Sequence, residues 1–85
     1  MKSIWIVEYE GNEIKIESTW FNGDRLYVNN KLQDEKFSLF ITDLTGNVIT
    51  KSGEKHLIKI NLGGWFSINC RAFINDEKVK VKQIK

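Results

Sequence analysis

Eighty-five residues, 41% of them apolar and 28% charged, suffice for one folded domain and exclude both a disordered chain and two independent cores. The net charge of +2 is too small by itself to imply nucleic acid or anionic lipid as a partner. No apolar run approaches the roughly 20 residues of a membrane helix, so no membrane partner is expected.

In chain order, the first eight residues hold a short apolar run broken by Glu8, unlike a secretion signal. Ser3–Glu10 alternates with Trp5, Val7 and Tyr9 on one side, and Gly11-Asn12 is a two-residue hairpin signal. Glu13–Thr19 returns with Ile14 and Ile16 facing one way, and Glu13, Lys15 and Glu17 the other. Asn22-Gly23 predicts the next turn, Arg25–Val28 the next strand, and Asn29-Asn30 a turn that tolerates the left-handed conformation. A short strand is expected at Lys31–Gln33 and a longer one at Phe37–Asp43, with Phe37, Leu39 and Ile41 sharing a face.

Gly46-Asn47 reads as a turn into Val48–Thr50, and Ser52-Gly53 as another. His56–Leu62 and Trp65–Ile74 are long strands separated by Gly63-Gly64, the second carrying Phe66, Ile68, Cys70, Ala72 and Ile74 on one face. Asn75-Asp76 then turns into Lys78–Ile84. No segment sustains a helical period, and turn signals every eight to twelve residues predict a sandwich or barrel.

The two halves resemble each other. Gly11 to Lys31 and Gly53 to Glu77 share an order: a glycine, an Ile-Lys-Ile strand, a Trp-Phe pair, then arginine, a small or aliphatic residue, an aromatic, a β-branched residue, Asn and Asn or Asp. This predicts a duplication, with pseudo-repeats over roughly 3–43 and 44–85 in a single domain of 1–85. It also predicts equivalent places for Trp20 and Trp65, and for Arg25 and Arg71. Charge is unequal, net −3 over residues 1–43 and net +5 over residues 44–85. Either opposite strands pair their charges or one face is basic.

Chemistry-bearing residues are few. The single histidine, His56, begins a strand, and the single cysteine, Cys70, lies on an apolar stripe where a thiol behaves as a small hydrophobe. One Cys and one His do not fill a tetrahedral zinc site without two recruited carboxylates. Gly63-Gly64 lacks the Lys-Ser/Thr of a phosphate loop. The sequence thus predicts no enzyme and no cofactor, and the unlabelled chain with its lone cysteine predicts a cytoplasmic protein.

Two features could bind. Lys78, Lys80 and Lys82 alternate along the terminal strand, either as edge protection or as a phosphate-contacting stripe. Tyr27 and Phe73 hold equivalent positions opposite in parity to their apolar neighbours, which predicts that they sit together on an outer face. The expected role is a non-catalytic cytoplasmic protein–protein interaction domain, monomeric or weakly dimeric. The alternative is a small nucleic-acid-binding barrel using these lysines and aromatics.

Trp5-x-Val7, the Gly11 turn, Ile14-Lys15-Ile16-Glu17, Gly23-Asp24-Arg25, Tyr27-Val28-Asn29-Asn30-Lys31 and Phe73-Ile74-Asn75-Asp76 together resemble the Fas apoptosis inhibitory molecule family. The resemblance implies an antiparallel β-sandwich of about eight strands, made of two similar four-stranded halves, acting through protein contacts without enzymatic activity. The chain departs from that pattern at Trp20-Phe21, at Gly63-Gly64-Trp65-Phe66 and in its Lys-rich final strand. That family has no active-site motif, so no functional residue transfers.

Overall fold

The structure, a computed structural model, describes residues 2–19, 21–37, 41–64 and 68–85. It is all-β: β1 (Lys2–Tyr9), β2 (Asn12–Thr19), β3 (Gly23–Val28), β4 (Lys31–Lys36), β5 (Thr42–Ile49), β6 (Lys55–Gly63), β7 (Asn69–Ile74), β8 (Glu77–Val79) and β9 (Lys82–Gln83). β4-β3-β2-β1-β9 form one antiparallel sheet and β5-β6-β7-β8 the other. No helix among the described residues is long and apolar enough to cross a membrane.

Period-two alternation sends one face of each sheet into a shared core. Trp5, Val7, Ile14, Ile16, Leu26 and Val28 come from the first sheet, and Leu44, Val48, Ile58, Ile60, Leu62, Ala72 and Ile74 from the second. Each such aliphatic side chain, fully buried, contributes roughly 1.5–3 kcal/mol. Tyr9, Ile68, Cys70, Val79 and Val81 pack against this core from its margin. Cys70, expected to be buried on the apolar stripe of its strand, is half-buried at this margin.

The two meanders use one register. Ile14 opposes Val28 and Ile16 opposes Leu26 in the first; Ile58 opposes Ile74 and Ile60 opposes Ala72 in the second. Arg25 faces Glu17 where Arg71 faces Asn61. Asn29-Asn30 and Asn75-Asp76 all have positive φ, and the first residue of each pair donates its N–H across the hairpin, to the Glu13 and Leu57 carbonyls at 2.8 and 2.9 Å. Trp20 and Trp65 lie outside the described residues, as do Leu39 and Phe66.

Several sequence expectations are corrected. The first turn falls on Glu10-Gly11, both at positive φ, and Asn12 already pairs with Tyr9. β4 extends to Lys36 with a bulge beside Leu26 and Tyr27. Gly46-Asn47 is no turn but the middle of β5. The glycine serves packing: a Cβ there would lie 3.0 Å from Leu26 Cδ2 and 3.2 Å from Gln33 Cβ.

The expected terminal strand Lys78–Ile84 is two short ones. β8 pairs with β7 in the second sheet, and β9 pairs with Trp5 and Ile6 in the first, so the chain changes sheets at Lys80-Val81. This closes one side of the sandwich covalently. On the other side, side chains of β4 reach the free backbone of β5. The Thr45 N–H donates to Asp34 Oδ2 at 2.8 Å, and the Asn47 N–H to Gln33 Oε1 at 3.3 Å. Edge amides that would template another strand are thereby occupied.

Candidate interaction face

Parity places the expected binding residues on outer faces, but sheet membership separates them. Tyr27 lies on β3 of the five-stranded sheet and Phe73 on β7 of the four-stranded one. They point away from the core in opposite directions, so the expected shared aromatic patch does not form. Lys78 pairs with Phe73 in one sheet, Lys82 pairs with Ile6 in the other, and Lys80 lies in the crossing. The three lysines form no stripe.

The outer face of the five-stranded sheet is charge-neutralised. Lys15 Nζ sits 4.8 Å above the Tyr27 ring centroid and 3.4 Å from Glu17, and Lys2 reaches Glu17 at 3.8 Å. Arg25 is held by Glu35 through its Nε. Tyr27, half-buried beneath a lysine stem, is poorly placed to stack on anything else.

The outer face of the four-stranded sheet differs. Strand register sets Thr45, Lys59, Phe73 and Lys78 in one row. Asp43, Asn61 and Arg71 form the next row, and Asn47 and Leu57 lie on the other flank. Phe73 is half-buried by its neighbours and carries cations on both sides. Lys59 bonds Asp76 at 3.3 Å, whereas Lys55, Arg71 and Lys78 form no ion pair among the described residues. Leu57 and Ile49 add exposed apolar area.

Lys59 and Arg71 did not stand out in the sequence, because the compact Lys-Val-Lys-Val-Lys segment drew the basic signal to the C-terminus. The pattern that reveals them is shared parity: Leu57, Lys59 and Asn61 along β6, and Asn69, Arg71 and Phe73 along β7.

The nucleophilic candidates remain apart. His56 Nδ1 is 2.8 Å from the Tyr9 hydroxyl, a bond that ties β6 to β1 across the two sheets. Cys70 pairs with Leu62, six residues along β6 from His56, which at the strand rise is roughly 20 Å. Burial pushes the Cys70 thiol up to about 12, so it is protonated and weakly nucleophilic at neutral pH. An open hollow of about 380 Å³ is lined by Glu8–Glu13 at the first hairpin tip. Among the described residues no cluster of three or more His, Cys, Asp or Glu is arranged to hold a metal ion.

No known family model, curated protein or solved structure matches this chain.

Proposed function

We propose that the chain is a non-catalytic, cytoplasmic protein-interaction module that presents the outer face of its four-stranded sheet to an acidic segment of a partner protein. The observation that carries this reading is the row Lys59–Phe73–Lys78 with Arg71 beside it. An aromatic anchor flanked by incompletely paired cations suits an extended acidic chain: the ring supplies desolvated contact area and the cations supply orientation and encounter rate. The order of elements that resembles the Fas apoptosis inhibitory molecule family points the same way. Shared hairpin register supports a duplication in which the second half specialised, since its outer face carries the unpaired cations while the first half neutralises its own.

A second reading has a specific observation behind it. A sheet-borne aromatic among cations is also a platform on which a single-stranded nucleic acid could stack.

The test compares capture from native cytoplasm by the wild-type protein, a Phe73→Ala/Arg71→Gln variant and a Tyr27→Ala variant, alongside titration with mixed-sequence single-stranded DNA. Protein species held by wild type and Tyr27→Ala but lost by the double variant are the expected result, with DNA binding no tighter than roughly 10⁻⁴ M near physiological salt. Micromolar DNA binding that falls steeply with salt and is lost in the double variant would establish the nucleic-acid reading instead. Equal capture by all three proteins would remove this face from consideration.

A further inference from the structure

Of the asparagines spread along the chain, Asn22 alone is followed by glycine. It is the last residue of the β2–β3 connection, and Gly23 is the first of β3. Asn22 is exposed. Its N–H donates to Thr19 Oγ1 at 3.0 Å, which anchors the main chain, while its side-chain amide has no hydrogen-bond partner among the described residues. Gly23 has φ +83° and opposes Thr19 in the last rung of the β2–β3 ladder, and terminal rungs open most readily.

The other asparagines are held differently. Asn12 Nδ2 donates to the Tyr9 and Ile49 carbonyls at 3.2 and 2.8 Å. Asn29 is fixed at both ends of its amide, Oδ1 accepting from the Glu13 N–H at 3.0 Å and Nδ2 donating to Asn12 Oδ1 at 2.8 Å. Asn47, Asn61 and Asn69 stand in β5, β6 and β7, where pairing keeps the backbone extended. Asn30 and Asn75 have positive φ and precede Lys31 and Asp76, whose side chains crowd the next amide nitrogen.

We infer that Asn22-Gly23 is a self-modification site, at which the folded chain converts asparagine to aspartate and isoaspartate. The Gly23 nitrogen, losing its proton to solvent base, attacks Asn22 Cγ. The Cγ–Nδ2 bond breaks, ammonia leaves, and a succinimide ring closes between the two residues. Water then opens the ring. Hydrolysis at Cγ gives aspartate in a normal main chain, and hydrolysis at the main-chain carbonyl carbon routes the chain through Cγ as isoaspartate. Water is the only co-reactant and nothing is oxidised. Glycine favours the attack because no Cβ shields its nitrogen and its backbone is the freest to reach the ring geometry. Both products carry a new negative charge at neutral pH, next to the buried Asp24. Isoaspartate also lengthens the main chain by one methylene just before Gly23. A Cβ on Gly23 would already lie 2.7 Å from the Lys36 carbonyl oxygen, so this turn has no slack for a longer chain. Conversion therefore loosens the β2–β3 hairpin and marks old molecules off from new ones. The site is separate from the Phe73 face and needs no partner.

The test is to hold the folded protein at mildly alkaline pH and map its peptides by mass spectrometry over time, with a urea-unfolded sample alongside. Methylation by a protein isoaspartate methyltransferase distinguishes isoaspartate from aspartate. Asn22 should exchange its side-chain NH2 for OH ahead of every other asparagine, with isoaspartate among the products. Asn22→Ser should yield no methyl acceptor. Gly23→Ala should slow conversion several-fold although it destabilises the turn, and the same slowing in urea excludes a folding defect as its cause. The isoaspartate form, separated by chromatography, should melt below Asn22→Asp, which has the same charge in a normal main chain. An Asn22 that stays intact in the folded protein while the unfolded sample converts, or another asparagine that converts first, overturns the inference. An isoaspartate form as stable as Asn22→Asp overturns the role given to the tight turn.

Discussion

Replacing Gly23 by alanine should destabilise the fold far more than the same change at Gly53, and the difference isolates one steric contact. Both glycines lie in the left-handed region, at φ +83° and +88°, where an L-residue costs about 1–2 kcal/mol. Around Gly53 nothing lies within 4 Å of the added Cβ, so that cost stands alone. At Gly23 the Cβ would fall 2.7 Å from the Lys36 carbonyl oxygen, a backbone atom that cannot rotate aside. Relief requires prising β3 from β4 where Asp24 pairs with Lys36, and strain of this kind costs about 1–3 kcal/mol. The totals are about 1–2 kcal/mol for Gly53→Ala and about 2–5 kcal/mol for Gly23→Ala. At about 6 °C per kcal/mol for a chain of this size, Tm should fall by about 10 °C and about 20 °C respectively. Urea unfolding should show lower midpoints at unchanged slope. Equal losses in the two variants would refute the close approach of the β2–β3 turn to the end of β4.

The Cys70 thiol should react slowly with a disulfide reagent in the native protein and rapidly once denatured. Its folded value of about 12 against an ordinary 9.0 means that stability is full below pH 9 and falls as pH rises toward 12, since the unfolded thiol ionises first; immediate stoichiometric labelling at neutral pH would contradict the packing assigned to β7. Gln33→Ala/Asp34→Ala should cost about 1–3 kcal/mol by uncapping two β5 amides and should promote self-association, read by sedimentation velocity. A double variant that stays monomeric and fully stable would show that those bonds do not guard the edge.

Alternation made the facing of nearly every strand readable, because a period of two is a local property: Ile14, Ile16, Leu26, Ile58, Ile60 and Ile74 are all buried. The Asn29-Asn30 and Asn75-Asp76 turns were readable from side chains that tolerate positive φ. What sequence withholds is which sheet a strand joins. Tyr27 and Phe73 share parity and repeat position, yet belonging to different sheets turns them back to back. Gly46-Asn47 looks like the turn chemistry of Gly11-Asn12, and only the approach of Leu26 and Gln33 shows that its missing side chain serves packing. The Lys/Val alternation of residues 78–82 survives a change of sheet at Lys80-Val81, so nothing in its pattern announces the crossing. The candidate face was half legible for the same reason, with Phe73 and Lys78 visible and Lys59 and Arg71 recognisable only once register set them beside the ring.

The hydrogen bonds joining Ile4 to Ile84 and Lys85 also determine how the domain responds to force. β1 and β9 run antiparallel with Lys2 and Lys85 at the same end, so tension applied between these residues would load the pairs one after another, as in opening a zipper. Such a geometry yields at low force, peeling β9 away before either sheet is sheared. The same adjacency would let the sandwich be spliced into a surface loop of a host protein with little distortion, entering and leaving through one narrow neck.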